Sequence, residues 1–365
     1  LSSVVTIGSL PVVSAAQLPA GRTAGRPEYN TGTQVSRPHA QRKPGSTEYP
    51  QRTSDRNHLE ALTIGRVGVD LYPEQSGVPL AGVRSFAKSL GGTATNVAVA
   101  AARLGRRTAV LTKVGPDGFG DYVRSALSEF GVSPEHVGTA EGLQTPVVFC
   151  ALDPPEDPPL LFYRSPIAPD LTIGEQDVPW DVVDEVPLLW VTGTGVCTEP
   201  ARATQRRILQ RRARRGHTVL DLDYRPMFWP DVATARAEIG WMLDHVTVAV
   251  GNRAEAEVAV GTGDPDEAAR RMLERGVRLA VIKKGADGVL VATPDGSWTV
   301  PPQRVEVVCG LGAGDGFGGA LIHGLLSGWD PVRIATYANA AGALVASRLA
   351  CADAMPTAAE IEEML

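Results

Sequence analysis

The residues best suited to chemistry lie in VCGLGAGDGFGGALIHGLLSGW, Val308 to Trp329, where one carboxylate, Asp315, sits among six glycines between positions 310 and 319. Downstream, Phe317, Leu321 and Leu325, with the small Ala320 and Gly324, repeat at helical spacing. Gly312, Ala313 and Gly314 therefore fall at a strand-to-helix turn, with N–H groups free at the helix start. Such groups, together with the helix dipole, favour a phosphate or a developing negative charge. Glycine also lets a ligand approach the backbone closely. An anion cradle with an acid beside it is what phosphorylation of an alcohol requires: the amides stabilise the transferring group and the carboxylate accepts the hydroxyl proton. The plainer reading makes Asp315 the N-cap of a tight turn. It leaves the glycines unexplained, above all Gly318 and Gly319 inside the helix, where each costs about 1 kcal/mol.

Two other phosphate-binding patterns are excluded. No Lys-Ser/Thr follows the glycines, so this is not a P-loop. The triple-glycine spacing of a dinucleotide fingerprint is not met, and GRVGVD near the first strand-like run does not supply it either.

The elements that must position Asp315 are readable from Leu62 onward. Strand-like runs are LTIGRV (62–67), TAVLTKV (108–114), LLWVTG (188–193), TVLDLD (218–223), VTVAV (246–250) and LAVIK (279–283). Between them ATNVAVAAARLG (94–105), EPARATQRRILQRRARRG (199–216) and PDEAARRMLERG (265–276) have helical character, each closing on a glycine suited to the C′ position. Alternating βα units predict a mostly parallel sheet with helices on both faces. VDLYPE (69–74), RSFAKSL (84–90), TPVVFCALD (145–153) and LLFYRS (160–165) interrupt the alternation and predict a small sheet projecting from the main body.

Composition narrows the class. The chain has 365 residues, 43% hydrophobic and 21% charged, enough for a sizeable core. Its 35 Lys and Arg against 41 Asp and Glu give a net charge of −6, which argues against a dedicated nucleic-acid or membrane-surface binder. The basic run in 199–216 reads as one solvated helix face. Cys150, Cys197, Cys309 and Cys351 have no metal-ligand or redox spacing and read as small buried residues in a reducing cytoplasm. Residues 1–57, rich in Pro, Gly, Ser, Thr and Arg without periodicity, read as a disordered tail. Their apolar opening lacks a basic n-region, so no signal peptide is expected.

Taken together, residues 62–365 resemble the ribokinase-like (PfkB) family of sugar kinases. GLGAGDGFGGAL resembles its C-terminal signature and LGGTATNVA (90–98) its N-terminal one, with VGPDGFGDYV (114–123) a further family-like turn. The resemblance implies an α/β fold, a ribokinase-like three-layer α/β/α sandwich with a mostly parallel central sheet and a small projecting β lid. The domain would span 58–365, with lid segments within about 69–90 and 145–165. It implies ATP and Mg2+ as cofactors, Asp315 as catalytic base, and Gly312, Ala313 and Gly314 as the anion hole. Sugar binding would fall to Asp70 in GRVGVDLY and to Gly91, Gly92 and Asn96. Asn252 and Glu255 in GNRAEAE would stand near the phosphates, Glu255 in the magnesium water shell. Lys283, Gly285 and Gly288 in VIKKGADGV, with Asn339 in YANAAGALVAS, would serve the nucleotide. Each also has a plainer reading: Asn96 a helix cap, Asp70 a turn acid, Asn252 and Glu255 an ordinary helix start, Lys283 a strand-end charge.

Where the family commonly has DTxGAGD, this chain has Cys309, Gly310 and Leu311. The acid and hydroxyl associated with a monovalent-cation site are thus missing, and little potassium activation is expected. WVTGTG (190–195), LDLDYRPMFWP (220–230) and SRLACADAMPT (347–357) further resemble members that act on an acidic sugar. A carboxylate substrate needs a cation in its pocket, and Arg164 in FYRSP and Arg225 in DYRPMFW are the candidates, Lys113 a weaker third. A kinase of another sugar acid or of a neutral sugar stays open, as does a non-catalytic sugar-binding module, which would not need Asp315. A homo-oligomer paired through the lid is a further expectation.

Overall fold

The computed structural model describes residues 58–75, 77–152 and 158–365. The tail reading for 1–57 lies outside the described residues. Among the described residues fourteen strands run in chain order: β1 Ala61–Ile64, β2 Gly68–Pro73, β3 Phe86–Gly91, β4 Thr108–Val114, β5 Val132–Ser133, β6 Val137–Thr139, β7 Val147–Cys150, β8 Leu160–Tyr163, β9 Leu188–Thr192, β10 His217–Asp221, β11 Val248–Asn252, β12 Leu279–Lys283, β13 Val289–Thr293 and β14 Gly296–Val300. The α-helices are α1 Thr93–Arg103, α2 Gly118–Glu129, α3 Trp180–Glu185, α4 Ala201–Arg212, α5 Val232–Leu243, α6 Arg253–Val260, α7 Pro265–Glu274, α8 Ala313–Leu326, α9 Pro331–Ala346 and α10 Ala358–Met364.

The large sheet has the order β14-β13-β12-β11-β10-β9-β1-β4-β5, with β6 beside β4. From β5 to β12 its pairings are parallel; β13 and β14 add an antiparallel hairpin at the edge. Strand β9 shows why the runs are continuously apolar. Leu189 and Val191 join the core formed with Ile208, Leu209, Ile239 and Met242, while Leu188 and Trp190 face the core built by Val97, Phe317, Leu321 and Ile334. Alternate side chains point to opposite faces, and here both faces are covered by helices. The chain leaves β1 toward β4 on one side and later fills β9 on the other, so the order reverses at β1. Ligands of open α/β sheets bind at the carboxyl ends of strands at such a reversal. Strands β2, β3, β7 and β8 form the separate four-stranded sheet, ordered β3-β2-β7-β8.

Three local expectations change. Helix α4 does not close on Gly216: it ends at Ala213, left-handed at φ 47°, followed by Arg214 at φ 60°. Tertiary bonds hold that turn, because Arg212 donates to the Val183 and Val186 carbonyls and Arg214 to those of Asp244 and Arg275. The basic face is accordingly not all solvated, for Arg212 is buried at 1% exposure. The β13–β14 hairpin was not anticipated, although its TPDG turn carries hairpin chemistry. Among the described residues no helix is long and apolar enough to cross a membrane.

Candidate active site

The glycine run divides into two groups. Gly312 caps α8 in the left-handed region at φ 78°, a conformation an L side chain rarely adopts. No side chain caps this helix, so the N–H groups of its first turn are left for a ligand. Asp315 lies inside that turn, and its Oδ2 accepts from Asn96 Nδ2 at 2.8 Å. It is therefore not the cap that the plainer reading made it. Gly318 and Gly319 belong to the second group. A Cβ at Gly319 would stand 2.2 Å from Ala100 Cβ and 2.7 Å from the Ala101 nitrogen, and one at Gly318 2.9 Å from both Trp190 and Val97. These glycines let α8 lie close against α1 and β9.

Two pockets meet at the start of α8. The smaller is lined by Asp70, Gly92, Asn96, Arg164, Arg225, Gly312 and Asp315, with Arg66 and Phe162. The larger is lined by Lys283, Gly285, Gly288, Gly310, Ala313, Gly314 and Asn339. The GAGD residues thus form the wall between them. Lys283, at the end of β12, brings its ammonium close to this wall, since a Cβ at Gly314 would lie 3.1 Å from Lys283 Nζ. Gly285 and Gly288 make the turn after β12 with φ of 62° and 83°. Asn339 on α9 donates from Nδ2 to the Pro301 carbonyl at 2.8 Å, fixing the segment that borders the larger pocket.

In the smaller pocket Asp70 projects from β2, and its carboxylate fills the space a Gly91 side chain would need, 2.1 Å from the ideal Cβ position. Gly92 then turns at φ 101° into α1, which carries Asn96. Burial, and next the nearby Asp315 charge, push Asp70 up to about 7. Asp315 is raised to about 6 by burial, opposed by the Asn96 hydrogen bond.

Several anticipated residues are held differently from expectation. Asn252 and Glu255 form a reciprocal capping box at the start of α6: Asn252 Oδ1 accepts from the Glu255 amide at 2.9 Å, and Glu255 Oε2 from the Asn252 amide at 2.8 Å. They line neither pocket, although Glu255 Oε1 lies 3.8 Å from Arg225. Arg164 donates from Nη2 to both oxygens of Asp170, at 3.0 and 2.9 Å. Lys113 is paired with Asp177 at 2.7 Å and lies in neither pocket.

Two buried charged residues near the strand ends were missed. Arg66 follows β1 and is 5% exposed, with Nη2 donating to Asp223 at 3.1 Å and to Thr93. Asp221 ends β10 and is raised to about 8, chiefly by burial. A charge at the end of an apolar strand run was the available signal for both. All four cysteines are buried and free, as expected, but Cys150, Cys309 and Cys351 cluster with Tyr72, which their scattered positions did not reveal. Among the described residues no three His, Cys, Asp or Glu side chains gather to hold a metal ion.

An acid and a helix start with no side-chain cap thus stand between two pockets at the carboxyl edge of a parallel sheet, in an α/β protein. Comparison with known proteins gives the class. Residues 59–358 match the profile of the pfkB family carbohydrate kinases. A 5-dehydro-2-deoxygluconokinase of Photobacterium profundum is 34% identical over 308 residues, covering 82% of this chain and 92% of its own. One from Geobacillus thermodenitrificans is 30% identical, covering 84% and 93%. Among solved structures, the fructokinase of Vibrio cholerae O395 with fructose, ADP and calcium superposes with a TM-score of 0.75 at 25% identity, covering 84% of this chain and 99% of that one. A PfkB protein from Polaromonas sp. JS666 gives 0.72 at 26%, covering 81% and 98%. The chain belongs to the pfkB family of carbohydrate kinases. It is a phosphotransferase with an alcohol group as acceptor.

Proposed function

We propose that this chain is a cytoplasmic, ATP-dependent kinase that phosphorylates 5-dehydro-2-deoxy-D-gluconate at its terminal hydroxyl, giving the 6-phosphate, in myo-inositol breakdown. The observation that carries the reading is the α8 start standing in the wall between two pockets, one of them lined by guanidinium groups. The relatives named above support the choice of sugar. Residues 58–365 are the catalytic unit, and the four-stranded sheet, which supplies Leu160 and Phe162 to the smaller pocket, is its lid. Leu161 and Tyr163 on that sheet are exposed, and two copies would pair there, which light scattering checks.

In this reading Asp70 and Asn96 hold sugar hydroxyls, with Gly91 and Gly92 giving them room. Arg164 and Arg225 supply positive field for the carboxylate. Lys283, Gly285, Gly288 and Asn339 hold the nucleotide. Asp315 takes the proton from the attacking hydroxyl, and the amides of Gly312, Ala313 and Gly314 stabilise the transferring phosphoryl group. Mg2+ would neutralise phosphate charge. The absence of a three-ligand cluster among the described residues fits a cation carried by phosphates and water, with Glu255 and Asn252 acting on that water shell.

An ATP-coupled assay of the purified protein against aldonates, keto-deoxy acids and neutral ketoses tests the proposal. Preference for a 2-keto-3-deoxy acid or for a neutral ketose would replace the substrate while keeping the kinase. Two further results are expected. Asp315, raised to about 6, must be ionised to take the hydroxyl proton, and Asp70, raised to about 7, holds a sugar hydroxyl more strongly as the carboxylate. Activity should therefore fall as pH drops through that window, with apparent midpoints belonging to the pair. A kcat/KM unchanged down to about pH 5 would show that no group needed for activity titrates in that window. Potassium should stimulate little, because Cys309 and Gly310 stand where an acid and hydroxyl would be. Strong activation over a sodium or choline control would assign a cation site to backbone carbonyls.

A further inference from the structure

Arg66, Arg164 and Arg225 all line the smaller pocket, and their existing bonds tell them apart. Arg164 is committed to Asp170, whose side chain is 1% exposed. Arg225 is the most open, at 38%, and its neighbours at 3.6 and 3.8 Å are Asp223 and Glu255. Arg66 is the most buried. Its Nη2 makes every bond found for the group, to Thr93 and to both oxygens of Asp223. Nε is buried with no partner, and Nη1 makes no bond among the described residues.

Buried donors are almost always satisfied, and one left open in a pocket wall calls for an acceptor from the ligand. The surroundings fix Arg66 rather than complete it. Asp223 sits at φ 28°, a region non-glycine residues rarely occupy, and there its carboxylate meets Arg66, Arg225 and Thr194. Phe228 lies under both Arg66 and Arg164, with their guanidinium carbons 5.5 and 5.2 Å from the ring centre, and Phe162 packs edge-on against it. The aromatic pair keeps these cations in a dry, oriented setting, where a charge-assisted bond is stronger than in water.

We propose that Arg66 is the specificity-determining residue for a carboxylate-bearing substrate, donating to the carboxylate from Nη1 while Thr93 and Asp223, bound to Nη2, act as its positioning residues. This rests on the acidic-substrate reading above. Arg164 and Arg225 contribute field, and Arg66 makes the selecting contact.

The test compares 5-dehydro-2-deoxy-D-gluconate with its carboxamide, which keeps the shape and removes the charge. Wild-type enzyme should favour the acid. In Arg66→Gln the acid's kcat/KM should fall about 100-fold, mostly in KM, while that of the amide and the KM for ATP move less than about threefold. Arg66→Lys keeps a charge beside Asp223 and so preserves the fold, but a single ammonium cannot hold Asp223 and also present a second nitrogen in fixed geometry, so it should lose about tenfold on the acid alone. A folded variant that binds ATP and keeps the wild-type ratio of acid to amide overturns the proposal. Equal losses on both substrates, or failure of both variants to fold, would make Arg66 a purely structural residue and overturn it too. Wild-type enzyme indifferent to the charge would instead sink the acidic-substrate reading, whatever Arg66 does.

Discussion

Asp315→Asn is expected to fold, to bind ATP and sugar, and to lose on the order of 10²–10⁴-fold in kcat, the usual contribution of general base catalysis. The size is preserved, but the amide cannot take the hydroxyl proton. The α8 geometry makes this substitution clean, because the cap position is Gly312 and no side chain caps the helix. A loss of capping therefore cannot account for a drop in rate. The 2.8 Å contact from Asn96 can be remade to the amide oxygen, so the pocket should keep its shape. Phosphoryl transfer with a loose transition state needs its base late, which would place the loss toward the lower end of the range. Single-turnover phosphorylation beside calorimetric ATP binding in one preparation decides. Near-normal turnover with intact binding would remove Asp315 from catalysis.

Gly319→Ala should be the most damaging single methyl group in the run. Its Cβ would meet Ala100 Cβ at 2.2 Å and the Ala101 backbone nitrogen at 2.7 Å, and neither contact can be relieved by rotating a flexible side chain. Helices α1 and α8 would have to separate, at a cost of about 1–3 kcal/mol or more for overpacking. Catalysis should suffer as well, since α1 carries Asn96 and α8 carries Asp315. Gly118→Ala, with nothing within 4 Å of its Cβ position, is the control and should be tolerated. Urea unfolding of the two variants reads the difference. A Gly319→Ala midpoint equal to the control would show that the helices part without cost.

These two residues also mark how far the sequence by itself reached. Apolar runs such as LLWVT, buried on both faces, already required a parallel sheet with two helix layers, because such a run leaves no face for water. The turn at Gly312 and the amides behind it were likewise local, being set by glycine's permitted backbone and by helix geometry. The helix-start reading of Asn252 and Glu255 was local too, and they do form a capping box. The glycines at 318 and 319 looked like part of the same anion site, yet both pack against α1, more than 200 residues earlier, and Gly318 also against Trp190 of β9. Asn96 meets Asp315 across 219 residues and Arg66 meets Asp223 across 157. No spacing in the chain encodes those pairs. They exist because the strand order reverses at β1, bringing α1 against α8 and the end of β1 near the end of β10. Periodicity and turn chemistry act over a few residues and fix which elements form. Which side chains become neighbours follows from packing those elements over shared cores, and that was decided only in three dimensions.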